Sequence, residues 1–308
     1  MPIVNTSVPI TSQSCEEMIL KIVETYPFCR TEVIANTAFQ RPVRTLVIGS
    51  GPRKVIFTAA HHANEWITAL VLLKFAEELA AAIQSGGQVF GQDATSIAER
   101  ATIYMVPMVN PDGVDLVTGA IRPGNIQYDL AQRLAADYPG IPFPDGWKAN
   151  LLGVDLNLNY PAGWLQAREI KFSQGYTRPG PRDYVGRAPL NQFETRALAG
   201  YTEYIDPELV LAYHAQGKEI YWQFQDYEVP GAEALGQQFA DVSGYALAEV
   251  PYNSSFAGYK DWFIQQFLRP GYTIEVGEGE NPLPLAQFDE IYRDNLGILV
   301  LAALGGEQ

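Results

Sequence analysis

Long apolar runs, cysteine, histidine and positive charge are all scarce in this chain of 308 residues. No apolar stretch approaches the roughly 20 residues that a membrane-spanning helix requires, so a membrane span is excluded. Only 21 Lys and Arg stand against 35 Asp and Glu, a formal charge of −14. A phosphate-binding surface needs clustered cations, and nucleic acid is therefore not an expected partner. The two cysteines, Cys15 and Cys29, lie in no metal-type spacing. A domain of this size needs no covalent staple, so a free, reduced pair is expected. The opening MPIVNTSVPITSQS lacks the basic region and apolar core of a secretory signal, which makes the cytoplasm the default location. No internal repeat or low-complexity tract is visible.

Nearly half of the residues, 47%, are hydrophobic, enough for a substantial core. The segment EEMILKIVETY, capped by Ser12 or Ser14, puts Met18, Ile19, Ile22 and Val23 on one face of a first helix. TEVIAN, RTLVIGS and KVIFTAA read as short strands broken by Pro and Gly turns. KVIFTAA runs directly into HHANEWITALVLLKFAEELAAAI, which reads as a long amphipathic helix, and TIYMVPMV is a further strand followed by the loop NPDG. A helix at NQFETRALAGYTEYI precedes the strands ELVLAYHA and EIYWQF, and GYTIEVG is a strand before the closing helix LPLAQFDEIYRDNLGILVLAAL. Strands alternating with helices predict an α/β fold whose largely parallel sheet is covered on both faces. Residues 114–192 are rich in Gly, Pro and Asn, and a long ordered segment of this kind usually carries function. One domain over 1–308, entered through a helix and strand within 1–42, is simpler than two small ones.

Two of the three histidines sit together in His61-His62-Ala63-Asn64-Glu65, at a strand-to-helix junction. Imidazole nitrogen and carboxylate oxygen are good zinc ligands, and a set of two His and one Glu leaves a position open for water. Alone, a His and Glu three apart equally describe a solvated helix start. His214, however, ends the apolar strand ELVLAYHA, where an unpaired imidazole is costly. Strand C-termini are where sites form in an open α/β sheet. Glu275 lies within the otherwise apolar GYTIEVG, so its carboxylate must be paired or at work. Beside a metal-activated water it would accept a proton and pass it to a leaving amine.

His62-Ala63-Asn64-Glu65-Trp66-Ile67, Asn110-Pro111-Asp112-Gly113, Gly153-Val154-Asp155-Leu156-Asn157, His214 and Thr273-Ile274-Glu275 occur in the order found in zinc carboxypeptidases of the carboxypeptidase A type. The chain resembles that family over about residues 45 to 300. The resemblance implies a single α/β domain with a mixed, mostly parallel sheet of about eight strands between helices. It implies one zinc ion, with His62, Glu65 and His214 as ligands and Glu275 as general base. Glu65 follows His62 by three positions in the motif, which leaves His61 a packing or supporting role. Asp155 matches the carboxylate that orients the first His ligand. An arginine of the family polarises the scissile carbonyl; aligned on Trp147, its place is taken by Lys148, which supplies charge without the planar fork.

The departures narrow the substrate. The family's carboxypeptidases hold a terminal carboxylate with an Asn-Arg pair, and here Asn157 is followed by Leu158, which cannot hydrogen-bond a carboxylate. Such a site need not demand a free C-terminus, which is endopeptidase behaviour. The stretch 146–164 resembles the bacterial branch that cleaves γ-D-glutamyl–diaminopimelate bonds of cell-wall peptides, so a muropeptide stem containing meso-diaminopimelate is the expected partner. Residues 257–263 align with the floor of the specificity pocket, where Lys260 would pair with the distal carboxylate of diaminopimelate. Tyr252 would match the family's mobile tyrosine. A metallocarboxypeptidase of relaxed specificity and an inactive binding relative are the competing expectations. Were the sequence part of a longer chain, a secreted or wall-associated location would be the alternative to that cytoplasmic default.

Overall fold

The computed structural model describes residues 2–306. Seven strands form one sheet: β1 (Leu46–Gly49), β2 (Arg53–Thr58), β3 (Ala101–Val106), β4 (Leu209–His214), β5 (Glu219–Tyr221), β6 (Ala246–Ala248) and β7 (Gly271–Glu275). Their spatial order is β6-β5-β7-β4-β2-β3-β1. The central β7, β4, β2 and β3 run parallel, β1 is antiparallel to β3, and β5 is antiparallel to β7 while parallel to β6. The expected eighth strand is missing because TEVIAN supplies Val33–Asn36, which pairs with Pro42–Arg44 as a separate hairpin. The isolated bridge between Arg30 and Val47 and a bond from the Arg30 guanidinium to Gly49 O tie that region to β1.

Period-two alternation along the central strands feeds two cores. Val55, Phe57, Leu209, Leu211 and Tyr213 pack with the helices Ser12–Thr25, Ile67–Ser85, Ala232–Ser243 and Phe288–Leu304. Ile56, Val106, Val210 and Ala212 pack on the other face with Trp164–Ser173, Phe193–Ile205 and Tyr259–Phe267. With both faces covered, β4 is buried along its whole length. A smaller third cluster joins Trp147, Ala149 and Leu151 to Ala63 and Leu116. Cys15 and Cys29 are free and buried. No helix among the described residues is long and apolar enough to cross a membrane.

Three local readings need correction. Thr11, not Ser12 or Ser14, caps the first helix: its side chain accepts from the Ser14 N–H while Ser14 Oγ accepts from the Thr11 N–H. NPDG is not a loop but the start of the helix Pro111–Val117, with Asn110 Oδ1 accepting from the Gly113 N–H and Pro111 in the first turn. The helix read from His61 begins only at Ile67, after a 3-10 turn at Ala63–Glu65, and its first seven residues are buried on all sides rather than amphipathic. The backbone before it is bonded elsewhere. Asn110 N–H donates to Ala60 O, Ala63 N–H to Lys148 O, and Ala60 N–H to Thr68 Oγ1.

Asn110 knits these segments together. Its fully buried amide donates to His61 O at 3.1 Å and to Ala149 O at 3.0 Å. Gly113 is required beside it, because a Cβ there would lie 2.6 Å from Ala149 O and 2.7 Å from Asn110 Oδ1. Asn110→Ala removes the side-chain donor from His61 O and the acceptor of the Gly113 N–H, while Ala149 O keeps its bond from Trp147 Nε1. Urea unfolding should show a loss of about 2–4 kcal/mol; a loss below about 0.5 kcal/mol would remove Asn110 from this structural role.

Candidate active site

The C-terminal ends of β2, β4 and β7 lie side by side, and the metal-ligand candidates are carried there. His214 is the last residue of β4, in register with Glu275 at the end of β7. His62 and Glu65 belong to the turn after β2. His62 Nδ1 lies 2.8 Å from Glu65 Oε1, His214 Nδ1 lies 2.9 Å from Glu65 Oε2, and the two Nδ1 atoms are 3.1 Å apart. Two ring nitrogens and a carboxylate thus converge on one point, and these three buried residues could hold a metal ion. The donor set fits zinc, since two imidazole nitrogens and one carboxylate converge in a buried space and leave a fourth position open.

The surroundings favour that orientation. His62 Nε2 lies 3.1 Å from Asp155 Oδ1, which leaves Nδ1 for the common point. Asp155 is held in turn by the backbone N–H groups of Asn157 and Asp183. His61 is not one of the converging donors: its Nε2 lies 3.3 Å from Tyr160 Oη and its ring stacks on that of His214. Burial keeps His61 well below the usual histidine range. For His62, burial opposes the charged ring, but Glu65 and Asp155 outweigh it and push its pKa up to about 9. Burial likewise opposes charge on Glu65, yet His62 and Lys148 hold its carboxyl well below the usual range. Burial, and then the negative charge of Glu65, pushes Glu275 up to about 8.

A cleft of about 260 Å³ opens onto this centre. His62, His214, Glu275, Lys148, Asp155, Asn157, Leu158 and Lys260 all line it, so nearly every predicted position is brought together. Lys148 Nζ lies 3.2 Å from Glu65 Oε1, anchored by the buried Trp147 beside it. Asn157 Oδ1 accepts from the Tyr259 N–H, fixing the start of the helix that carries Lys260. Lys260 is buried; its ammonium pairs with Asp261 Oδ1 at 2.7 Å and donates to Gln223 O. Tyr252 is 61% exposed, its ring rests on Phe256, and it is not among the cleft-lining residues although Pro251 and Ser254 are.

Sequence reading missed Lys171, Arg182 and Asp183, which also line the cleft. They belong to no spaced motif. The only signal was their place in the long Gly- and Pro-rich segment 114–192.

Comparison with known proteins agrees with the geometry. Gamma-D-glutamyl-L-diamino acid endopeptidase 1 of Lysinibacillus sphaericus is 40% identical over 282 residues, which cover 92% of this chain and 69% of that protein. Bovine thrombin-activatable fibrinolysis inhibitor, solved in complex with tick carboxypeptidase inhibitor, shares the fold with a TM-score of 0.73 at 15% identity, covering 97% of each chain. Murein-tripeptide amidase MpaA from Escherichia coli O157 shares it with a TM-score of 0.53 at 19% identity, covering 88% of this chain and 91% of that one. The family model described as zinc carboxypeptidase matches residues 15–297. With motifs, fold and cleft in agreement, the chain belongs to the zinc carboxypeptidase family, peptidase M14, and is a hydrolase of that family.

Proposed function

We propose that this protein hydrolyses the γ-D-glutamyl–meso-diaminopimelate bond of cell-wall peptides, with one zinc ion held by His62, Glu65 and His214. The observation that carries the substrate reading is Leu158, a buried apolar side chain in the cleft beside Asn157, where a carboxypeptidase needs a cation for the terminal carboxylate. The similarity to a protein named as a gamma-D-glutamyl-L-diamino acid endopeptidase supports the same substrate.

Bound zinc supplies Lewis acidity and lets water lose a proton near neutral pH. Glu275 takes that proton on its carboxylate and returns it to the leaving amine. A pKa raised by burial suits a group that must both accept and release a proton near neutrality. Lys148 places an ammonium beside the metal ligands, where negative charge develops on the scissile oxygen. Lys260, on the helix Tyr259–Phe267, has a third N–H beyond those engaged by Asp261 and Gln223 to offer the distal carboxylate of diaminopimelate.

Mass spectrometry of L-Ala-γ-D-Glu-meso-diaminopimelate incubated with zinc-loaded protein should show free diaminopimelate. Glu275→Gln should keep its zinc and lose about 10²–10⁴-fold in rate. Intact peptide alongside cleavage of ordinary α-peptides would sink the substrate reading. Lys260→Met should lower the preference for diaminopimelate over lysine at that position about tenfold or more, and an unchanged preference would free Lys260 of this role.

Glu65 and Asp155 push the pKa of the metal-free His62 ring up to about 9, so at pH 7 the ring carries a proton that it must lose to bind metal. Zinc affinity should therefore weaken about tenfold for each pH unit below about 9. Calorimetry in buffers of different ionisation enthalpy should count about one proton released per zinc at pH 7. Zero protons would contradict the charged state of His62.

A further inference from the structure

Asp183 and its neighbours form a second charged assembly in the cleft wall, one that the metal centre does not use. Both oxygens of the buried Asp183 carboxylate are engaged by cations: Oδ1 by Lys171 Nζ at 2.6 Å and Oδ2 by Arg182 Nε at 2.6 Å. Two cations on one carboxylate leave a net positive charge, in a chain whose overall charge is −14. Asp183 also holds a φ of +64°, a left-handed conformation that persists in a non-glycine residue only when the surroundings enforce it.

The enforcement is visible in the backbone. Pro181 O accepts from the N–H groups of both Lys148 and Ala149, Gly180 N–H donates to Gly153 O, and Asp155 N–H donates to Tyr184 O. Asp183 N–H donates to Asp155 Oδ2, the carboxylate that also bonds His62. Residues 180–184 are thus laced between the Lys148 segment and the Asp155 segment. Arg182 is positioned by the same framework that positions the metal ligand.

Asp183 engages only the Nε edge of Arg182. The side chain is 42% exposed and lines the cleft, so its forked Nη1/Nη2 end is left for a planar anion. It shares the cleft with Lys148, the group proposed to face the scissile carbonyl, and is near enough for its charge to act on that ammonium. Lys260 is engaged by other partners, Asp261 and Gln223.

We propose that Arg182, oriented by Asp183 and Lys171, binds the α-carboxylate of the γ-linked D-glutamate on the acyl side of the cleft. The assignment rests on the γ-D-glutamyl substrate proposed above, since only a γ-linkage leaves that α-carboxylate free beside the scissile carbonyl. It makes the cleft selective for acyl groups that carry a carboxylate.

The test compares L-Ala-γ-D-Glu-meso-diaminopimelate with its D-isoglutamine analogue, in which the α-carboxylate is a carboxamide. Wild-type protein should favour the acid about 10–100-fold, chiefly through KM. Arg182→Gln should bring the acid-to-amide ratio near one with zinc content and melting temperature unchanged, and Arg182→Lys should restore part of it. Cleavage of both peptides by the wild type with a ratio near one, or a ratio unchanged in Arg182→Gln, overturns the assignment and leaves the γ-D-glutamyl reading standing. Wild-type protein that cleaves neither peptide removes that reading and this assignment together.

Discussion

A carboxylate cannot be taken out of water without counter-charge, and Glu65, only 1% exposed, is the buried charge around which this molecule is arranged. Its partners come from three separate stretches: His62 from its own turn, His214 and the Ala215 N–H from the end of β4, and Lys148 from the long segment after β3. None of them can move far without stranding the charge. The demand to neutralise one carboxylate therefore sets the spacing of the groups that could hold the metal.

That constraint propagates outward through hydrogen bonds rather than through apolar packing alone. Asp155 orients His62, and it fixes the backbone of Asp183 with its other oxygen. Asn110 joins the His61 carbonyl to the segment after Trp147, and Trp147 packs against Ala63 in its own small core. Substrate-facing and metal-facing groups thus share one scaffold. A preorganised site of this kind spends little free energy on reorganisation when charge develops at the reacting atoms. The apolar Leu158 marks the limit of that polar scaffold in the cleft.

Much of the arrangement was legible because it depends on short-range pattern. KVIFTAA, ELVLAYHA and GYTIEVG are apolar runs that become the adjacent central strands β2, β4 and β7, and parallel pairing then brings their C-terminal ends together. His62, His214 and Glu275 follow from that topology. Readings failed where backbone groups chose partners distant in sequence. Asn110 turned an apparent loop into a helix start, and bonds from Ala60 and Ala63 to other segments delayed the next helix to Ile67. The hairpin Val33–Asn36/Pro42–Arg44 has strand-like sequence, but nothing in it specifies whether it joins the sheet.

Residue chemistry and motif order by themselves determined the family: two histidines, a glutamate three residues after one of them and an acid inside an apolar strand occur in the order of the zinc carboxypeptidases. They also fixed that position 158 offers no hydrogen-bond donor, since leucine carries none wherever it is placed. Tertiary structure alone decided which cations face the cleft. Lys260 is buried and already paired with Asp261, Tyr252 is exposed, and Lys171 and Arg182, in no recognisable motif, converge on Asp183 in the cleft wall. Charge and hydrogen-bonding capacity are written in the side chain, whereas desolvation and partner choice arise only when distant segments pack together.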